Sequence, residues 1–284
     1  MQKFIVGLLI LFVLGCGTEN SQDKIIELAT GELQDDSLQK NTAESFIDGA
    51  HETIDKVTLD NGIEIKWFAH GSGSKLKLGD VVSIDYKVYL KDNSLVDGNH
   101  LLKRESLPFM IGFNMQTKGW DIALQEMRIG DFAEIFIPSE LARGEKGIEG
   151  LIPANADNIL KIRILGVLEP TREVDGNKIW LLEENTKNEY VFDKENQIEF
   201  HCMVSTPTNP LYVNTFQSNT PFNLSYVDRG TVPGLRKSLI NAKRSDRLFI
   251  LVPAKEAYGE RGYQDLVQPN EDLFYNILVM NVTK

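Results

Sequence analysis

Residues 132–147 read Phe132-Ala133-Glu134-Ile135-Phe136-Ile137-Pro138-Ser139-Glu140-Leu141-Ala142-Arg143-Gly144-Glu145-Lys146-Gly147. Residues 247–262 read Arg247-Leu248-Phe249-Ile250-Leu251-Val252-Pro253-Ala254-Lys255-Glu256-Ala257-Tyr258-Gly259-Glu260-Arg261-Gly262. Each is an apolar, strand-like run closed by proline and followed by Ala-x-Gly-Glu-Lys/Arg-Gly. Pro138 and Pro253 lie 115 positions apart, as do Gly144 and Gly259, and Gly119 and Gly234. A fixed offset held in order is the signature of a duplicated unit. Two further pairs support it: Asn61-Gly62 with Asp175-Gly176, and Leu107-Pro108-Phe109 with Thr220-Pro221-Phe222. The reading is two copies of one domain, residues 57–169 and 170–284, joined at Glu169-Pro170.

Within a copy the texture is mostly β. Val82, Ile84, Tyr86, Val88 and Leu90 alternate along 81–90, as Leu160, Ile162 and Ile164 do along 158–167. Such two-residue periods mark half-buried strands. One short helix is predicted per copy. In the first it covers Trp120–Arg128, with Trp120, Ala123, Leu124 and Met127 on one face and Gly130 as its terminator. In the second, Leu235, Leu239 and Ile240 fall similarly. The fold class is therefore α+β, a bent antiparallel sheet around one short helix, twice.

Outward from the repeat, the chain changes character. Phe4–Leu14 is an apolar run after Lys3, too short for a mature membrane span of about 20 residues and suited to a signal-peptide core. It ends in Val13-Leu14-Gly15-Cys16, which resembles a bacterial lipoprotein signal. That implies a signal peptide over 1–15 and lipidation at Cys16, hence a membrane-anchored protein of the bacterial cell envelope with domains in the periplasm. Residues 16–56 carry ten Asp/Glu against three Lys and only one aromatic, Phe46, and read as an acidic tether.

Composition narrows the function. The 284 residues hold 30 Lys/Arg against 41 Asp/Glu, a net charge of −11. That disfavours a nucleic-acid partner, which needs clustered positive charge. Two cysteines exclude a disulfide framework and a multi-cysteine zinc ribbon. Four histidines show no ligand spacing, so neither metal nor cofactor is expected. The residues by themselves leave Trp120 open as an ordinary core side chain.

The order Gly79-Asp80-Val81-Val82-Ser83-Ile84-Asp85-Tyr86, Asp97, Leu107-Pro108-Phe109-Met110-Ile111-Gly112, Gly119-Trp120, Ile137-Pro138, Ala142-Arg143-Gly144 and Gly150-Leu151-Ile152-Pro153 resembles the FKBP-type peptidyl-prolyl isomerases. Residues 57–169 carry the resemblance in order; the second copy resembles the family more faintly. It implies a cleft between helix and sheet with Trp120 as floor. Tyr86, Asp97, Trp120 and Ile152 are implied as the catalytic set, Ile152 through its backbone N–H. Val96, Leu107, Gln116, Thr117, Arg143 and Leu160 are implied as substrate-binding. Val96, Leu107 and Leu160 stand where the family usually has Phe, and Arg143 where it has Tyr. The second copy supplies Phe222, Tyr258 and Tyr275 as walls, with Phe200, Val232 and Val267. It has Leu235 for the floor and no counterpart of Asp97.

Three functions follow as expectations. One is a monomeric isomerase acting on X-Pro bonds of exported polypeptides, with turnover in copy one. Another is a non-catalytic chaperone or peptide-binding lipoprotein that holds proline-containing or unfolded segments. A structural envelope lipoprotein that reuses the fold is the third.

Overall fold

The computed structural model describes residues 47, 49–187, 190–210 and 212–284. The leader, Cys16 and the acidic stretch up to residue 46 lie outside the described residues. The chain divides into two compact units between Leu168 and Glu169.

Domain 1 is an antiparallel sheet of β1 (Asp55–Thr58), β2 (Glu64–Ala69), β3 (Val81–Tyr89), β4 (Leu95–Gly98), β5 (Leu107–Met110), β6 (Phe132–Ile137) and β7 (Asn158–Val167). The order across it is β1-β2-β6-β7-β3-β4, with β5 also on β3. β1 starts at Asp55, inside the stretch read as tether. The alternation holds: Ile84, Tyr86 and Val88 on β3 and Leu160, Ile162 and Ile164 on β7 are fully buried. Their even spacing puts them on one face, against which helix α1 packs.

Helix α1 runs Lys118–Leu124, starting two residues earlier and ending four residues sooner than its periodicity predicts. Its end tightens, with Glu126 N–H donating to Ala123 O and Met127 N–H to Leu124 O, bonds of 3-10 type. Met127 stays buried although it has left the helix. Gly130 does not cap the helix. It takes φ 92° in the turn closed by Asp131 N–H on Arg128 O.

Domain 2 repeats the plan with β8 (Arg172–Val174), β9 (Asn177–Glu183), β10 (Gln197–Ser205), β11 (Val213–Asn214), β12 (Phe222–Ser225), β13 (Arg247–Val252) and β14 (Leu273–Thr283). The order is β11-β10-β14-β13-β9-β8, with β12 on β10. Helices α2 (Thr215–Ser218) and α3 (Pro233–Leu239) complete it. α1 and α3 sit 115 residues apart, as do β6 and β13. Phe200, Cys202, Val204, Leu235, Leu239, Ile250, Tyr275 and Ile277 belong to the core.

Two carboxylate clamps recur at the same offset. Asp131 accepts Gly71 N–H at 2.7 Å and Arg128 N–H at 2.8 Å; Asp246 accepts Asn185 N–H and Lys243 N–H, both at 2.8 Å. Asp157 accepts Ser139 N–H at 2.8 Å, and Asp272 accepts Ala254 N–H at 2.9 Å. The first pair holds the turns that precede β6 and β13, and the second pair the loops that follow them, where unsatisfied buried donors would be costly.

One pairing from the sequence shifts. The Leu107-Pro108-Phe109 motif suggests that Phe222 answers Phe109. The strand register instead pairs Leu107 with Ile84 and Phe222 with Phe200, so Phe222 holds the place of Leu107. A slip of two residues keeps the same face of a strand, so the alternation could not reveal it.

Candidate functional site

β3, β4 and α1 assemble the polar centre of domain 1. The Tyr86 hydroxyl donates to Asp97 Oδ2 at 3.1 Å, and Asp97 Oδ1 accepts the Gly98 N–H at 2.8 Å. Both residues are shut off from solvent. Burial, with the Asp97 charge second, pushes the Tyr86 phenol well above its usual value. It therefore stays a hydrogen-bond donor throughout the physiological range.

Trp120, expected as the floor, lies fully buried at the start of α1. Phe109 stacks on it at 5.4 Å and Tyr86 meets it edge-on at 5.2 Å. The helix can come this close because Gly119 has no side chain. A Cβ there would sit 2.3 Å from Ile137 Cγ2 and 2.9 Å from Leu141 O. Val96, Leu107, Ile152 and Leu160 are all buried with it.

Ile152 corrects an expectation. Its N–H donates to Ile148 O at 2.8 Å, closing the turn in which Ile148 and Ile152 bridge. The donor expected to anchor a substrate carbonyl is spent inside the chain. Ile152 offers only its buried side chain.

Arg143 is the departure with the largest effect. Its Nη2 donates to Gln116 Oε1 at 2.6 Å. Burial pulls its guanidinium down to about 10, while the charge of Asp97 pushes the other way. Arg143 thus turns back onto Gln116 and is only partly exposed. The loop carrying Gln116 and Thr117 is fixed by Asp121, which accepts Gly112 N–H at 2.9 Å and Asn114 N–H at 2.6 Å. Burial outweighs those bonds and raises Asp121 to about 6.

The same places in domain 2 are read from strand register. Val88 faces Asp97 and Leu160 in domain 1; Val204 faces Val213 and Tyr275 in domain 2. Val213 therefore stands where the aspartate is, and Tyr275 where Leu160 is. Tyr86 pairs with Ile162 and Cys202 with Ile277, so a thiol replaces the phenol. Burial pushes the Cys202 thiol far up, which leaves it an inert packing group.

Three tyrosines of domain 2, Tyr212, Tyr258 and Tyr263, gather in one cluster. Tyr258 shares a hydrogen bond of 2.7 Å with Tyr212 Oη and stacks on Tyr263 at 4.8 Å. Tyr275 is buried beneath, and Phe222 is 39% exposed, so the structure sets Phe222 at the rim, touching Phe200 at 5.9 Å. Motif order points to neither Tyr212 nor Tyr263. The offset of 115 from Ile148 leads to Tyr263. No short motif marks Tyr212, which follows Leu211 just before the two-residue strand β11.

A bent antiparallel sheet closing on a short helix, with a buried tryptophan at the helix start and a Tyr–Asp pair beside it, is the arrangement domain 1 presents. The family model described as FKBP-type peptidyl-prolyl cis-trans isomerase matches residues 72–165 and 190–280. The chain belongs to that family. It is 27% identical over 204 residues to human peptidyl-prolyl cis-trans isomerase FKBP10, covering 72% of this chain and 34% of that protein. It is 30% identical over 156 residues to the FKBP-type peptidyl-prolyl cis-trans isomerase FkpA of Aeromonas hydrophila, covering 55% and 57%. The crystal structure of the three FKBP domains of wheat FKBP73 matches with TM-score 0.39 and 18% identity, over 79% of this chain and 96% of that one. The chain thus spans about a third of FKBP10 and just over half of FkpA.

Proposed function

We propose that the protein accelerates cis-trans isomerisation of X-Pro bonds, with turnover in domain 1. The supporting observation is the buried constellation of Tyr86, Asp97 and Trp120. Isomerisation crosses a barrier of about 18–20 kcal/mol, unaided in tens of seconds or longer. It needs no nucleophile. The twisted amide at the barrier top has lost conjugation and is less polar than the planar ground state. An apolar, water-poor cleft therefore favours it. In this reading Trp120 seats the proline ring, and Val96, Leu107, Ile152 and Leu160 exclude water. Asp97, oriented by Tyr86, acts on the amide carbonyl through its charge. Gln116, Thr117 and Arg143 contact the flanking peptide.

A protease-coupled assay on X-Pro tetrapeptides tests this. Trp120→Leu and Asp97→Ala should each lower kcat/KM by about tenfold or more. Unchanged turnover in both would remove the site assignment.

Domain 2 supports a second role, peptide holding without turnover. Leu235 and Val213 take the places of floor and aspartate, while Tyr212, Tyr258 and Tyr263 offer aromatic faces that suit proline rings. Isolated domain 2 should bind proline-rich peptide yet leave its isomerisation rate unchanged. The Cys16 motif supports an anchored location, with unfolded or proline-containing exported polypeptides as clients. Palmitate labelling in a bacterial host, lost in Cys16→Ser, tests the anchor.

A further inference from the structure

We infer that Arg143 makes the domain 1 cleft selective for peptides that carry a carboxylate on the residue preceding proline. This deepens the isomerase reading and rests on it. The position is the one that Tyr258 fills in domain 2, 115 residues on. There a hydroxyl meets a neighbouring tyrosine; in domain 1 a guanidinium meets Gln116.

Three observations converge. Arg143 Nη2 is bonded to Gln116 Oε1 at 2.6 Å, and Gln116 is only 3% exposed, so the guanidinium is held at the inner end of the cleft loop. Its charge also acts on Asp97. Asp97 also receives Tyr86 Oη and Gly98 N–H.

The second observation concerns donors. Gln116 Nε2, Thr117 Oγ1 and Trp120 Nε1 have no hydrogen-bond partner among the described residues. Their residues are 3%, 5% and 0% exposed. Gln116 and Thr117 are adjacent, and Trp120 lies one helical turn on. Buried donors without partners are rare, and a ligand rich in acceptor oxygens would satisfy them. A carboxylate is such a ligand, and it also fits the planar fork of a guanidinium.

The third is the setting. Val96, Leu107, Ile152 and Leu160 surround the site with apolar surface. Charge pairing gains strength where water is thin. A neutral side chain before proline leaves the cation its present partners only, whereas Glu or Asp adds a paired charge. The preference comes from short-range contact, so it should survive salt that screens surface steering.

The experiment uses the full chain and four tetrapeptides with Glu, Gln, Leu or Lys before proline. The expected kcat/KM ratio of Glu to Gln is about tenfold, the size of one charge-assisted hydrogen bond. It should persist between about 0.1 and 0.5 M salt, concentrations spanning Debye lengths from about 10 Å to a few ångströms. In Arg143→Met the ratio should fall to about one, whatever happens to absolute rates. Arg143→Tyr, the residue found at the matching place in domain 2, serves if the methionine variant does not fold. A wild-type ratio of one or less overturns the inference, as does a ratio unchanged in either variant. If no peptide is turned over, the isomerase reading fails separately. Calorimetric binding of the Glu and Gln peptides to wild type and variant then decides the selectivity, by the same ratio.

Discussion

Tyr86 and Asp97, eleven residues apart in the chain, meet as hydroxyl and carboxylate at 3.1 Å where neither is reached by solvent. Two adjacent antiparallel strands make the meeting possible, since β3 and β4 pair Val88 with Asp97. The bond orients the Asp97 carboxylate on the tyrosine that meets Trp120 edge-on. Tyr86→Phe keeps the ring against Trp120 and deletes only the donor. A buried carboxylate short of one donor costs about 1–3 kcal/mol. Urea unfolding of domain 1 should show a loss of that size. The coupled assay should show kcat/KM reduced by about fivefold to tenfold, because Asp97 loses its orientation. Full activity in the phenylalanine variant would make the pair purely structural.

Asp121 should make the stability of domain 1 depend on pH. Its folded-state value of about 6 lies above the ordinary 3.8, because burial outweighs the two backbone donors. The folded chain thus holds this proton more tightly than the unfolded chain. The contribution is fully present below about pH 4 and is lost as pH rises through about 6. A gap of that size between folded and unfolded chain is worth about 2–3 kcal/mol. Stability relative to Asp121→Asn should therefore fall between about pH 4 and 7, measured by urea midpoints across that range. A flat difference would show that the two backbone bonds fully offset burial.

Gly119 and Gly234 should be equally intolerant of a methyl group. A Cβ on Gly119 meets Ile137 Cγ2 at 2.3 Å; one on Gly234 meets Asn177 Oδ1 at 2.3 Å and Val252 Cγ1 at 2.5 Å. In each case the helix must lift off the sheet. Alanine ordinarily favours a helix over glycine, but overpacking here should cost about 1–3 kcal/mol. Thermal unfolding of Gly119→Ala should lower the domain 1 transition, and Gly234→Ala that of domain 2. Gly119→Ala should also reduce turnover, since it moves Trp120. Gly234→Ala should leave turnover intact if the activity lies in domain 1.

The duplication, the strands and the family are all legible in the order of residues. An offset of 115 between matched motifs is a property of the string, and alternation along 81–90 and 158–167 requires only that one face be buried. The same patterns locate Tyr86, Asp97 and Trp120, whose proposed roles rest on the family resemblance of the motif order. Four features arise only on folding. Arg143 reaches Gln116, 27 residues away in the chain, and Tyr258 reaches Tyr212, 46 away. The Ile152 N–H is taken by Ile148 O. Phe222 takes the place of Leu107 and not of Phe109. A long side chain chooses among partners brought near by distant strands, and a backbone donor is claimed by whichever acceptor the turn presents first. Neither choice is encoded in local periodicity. The departures from the family pattern are visible in the string, and what they build becomes visible only when the chain has folded around them.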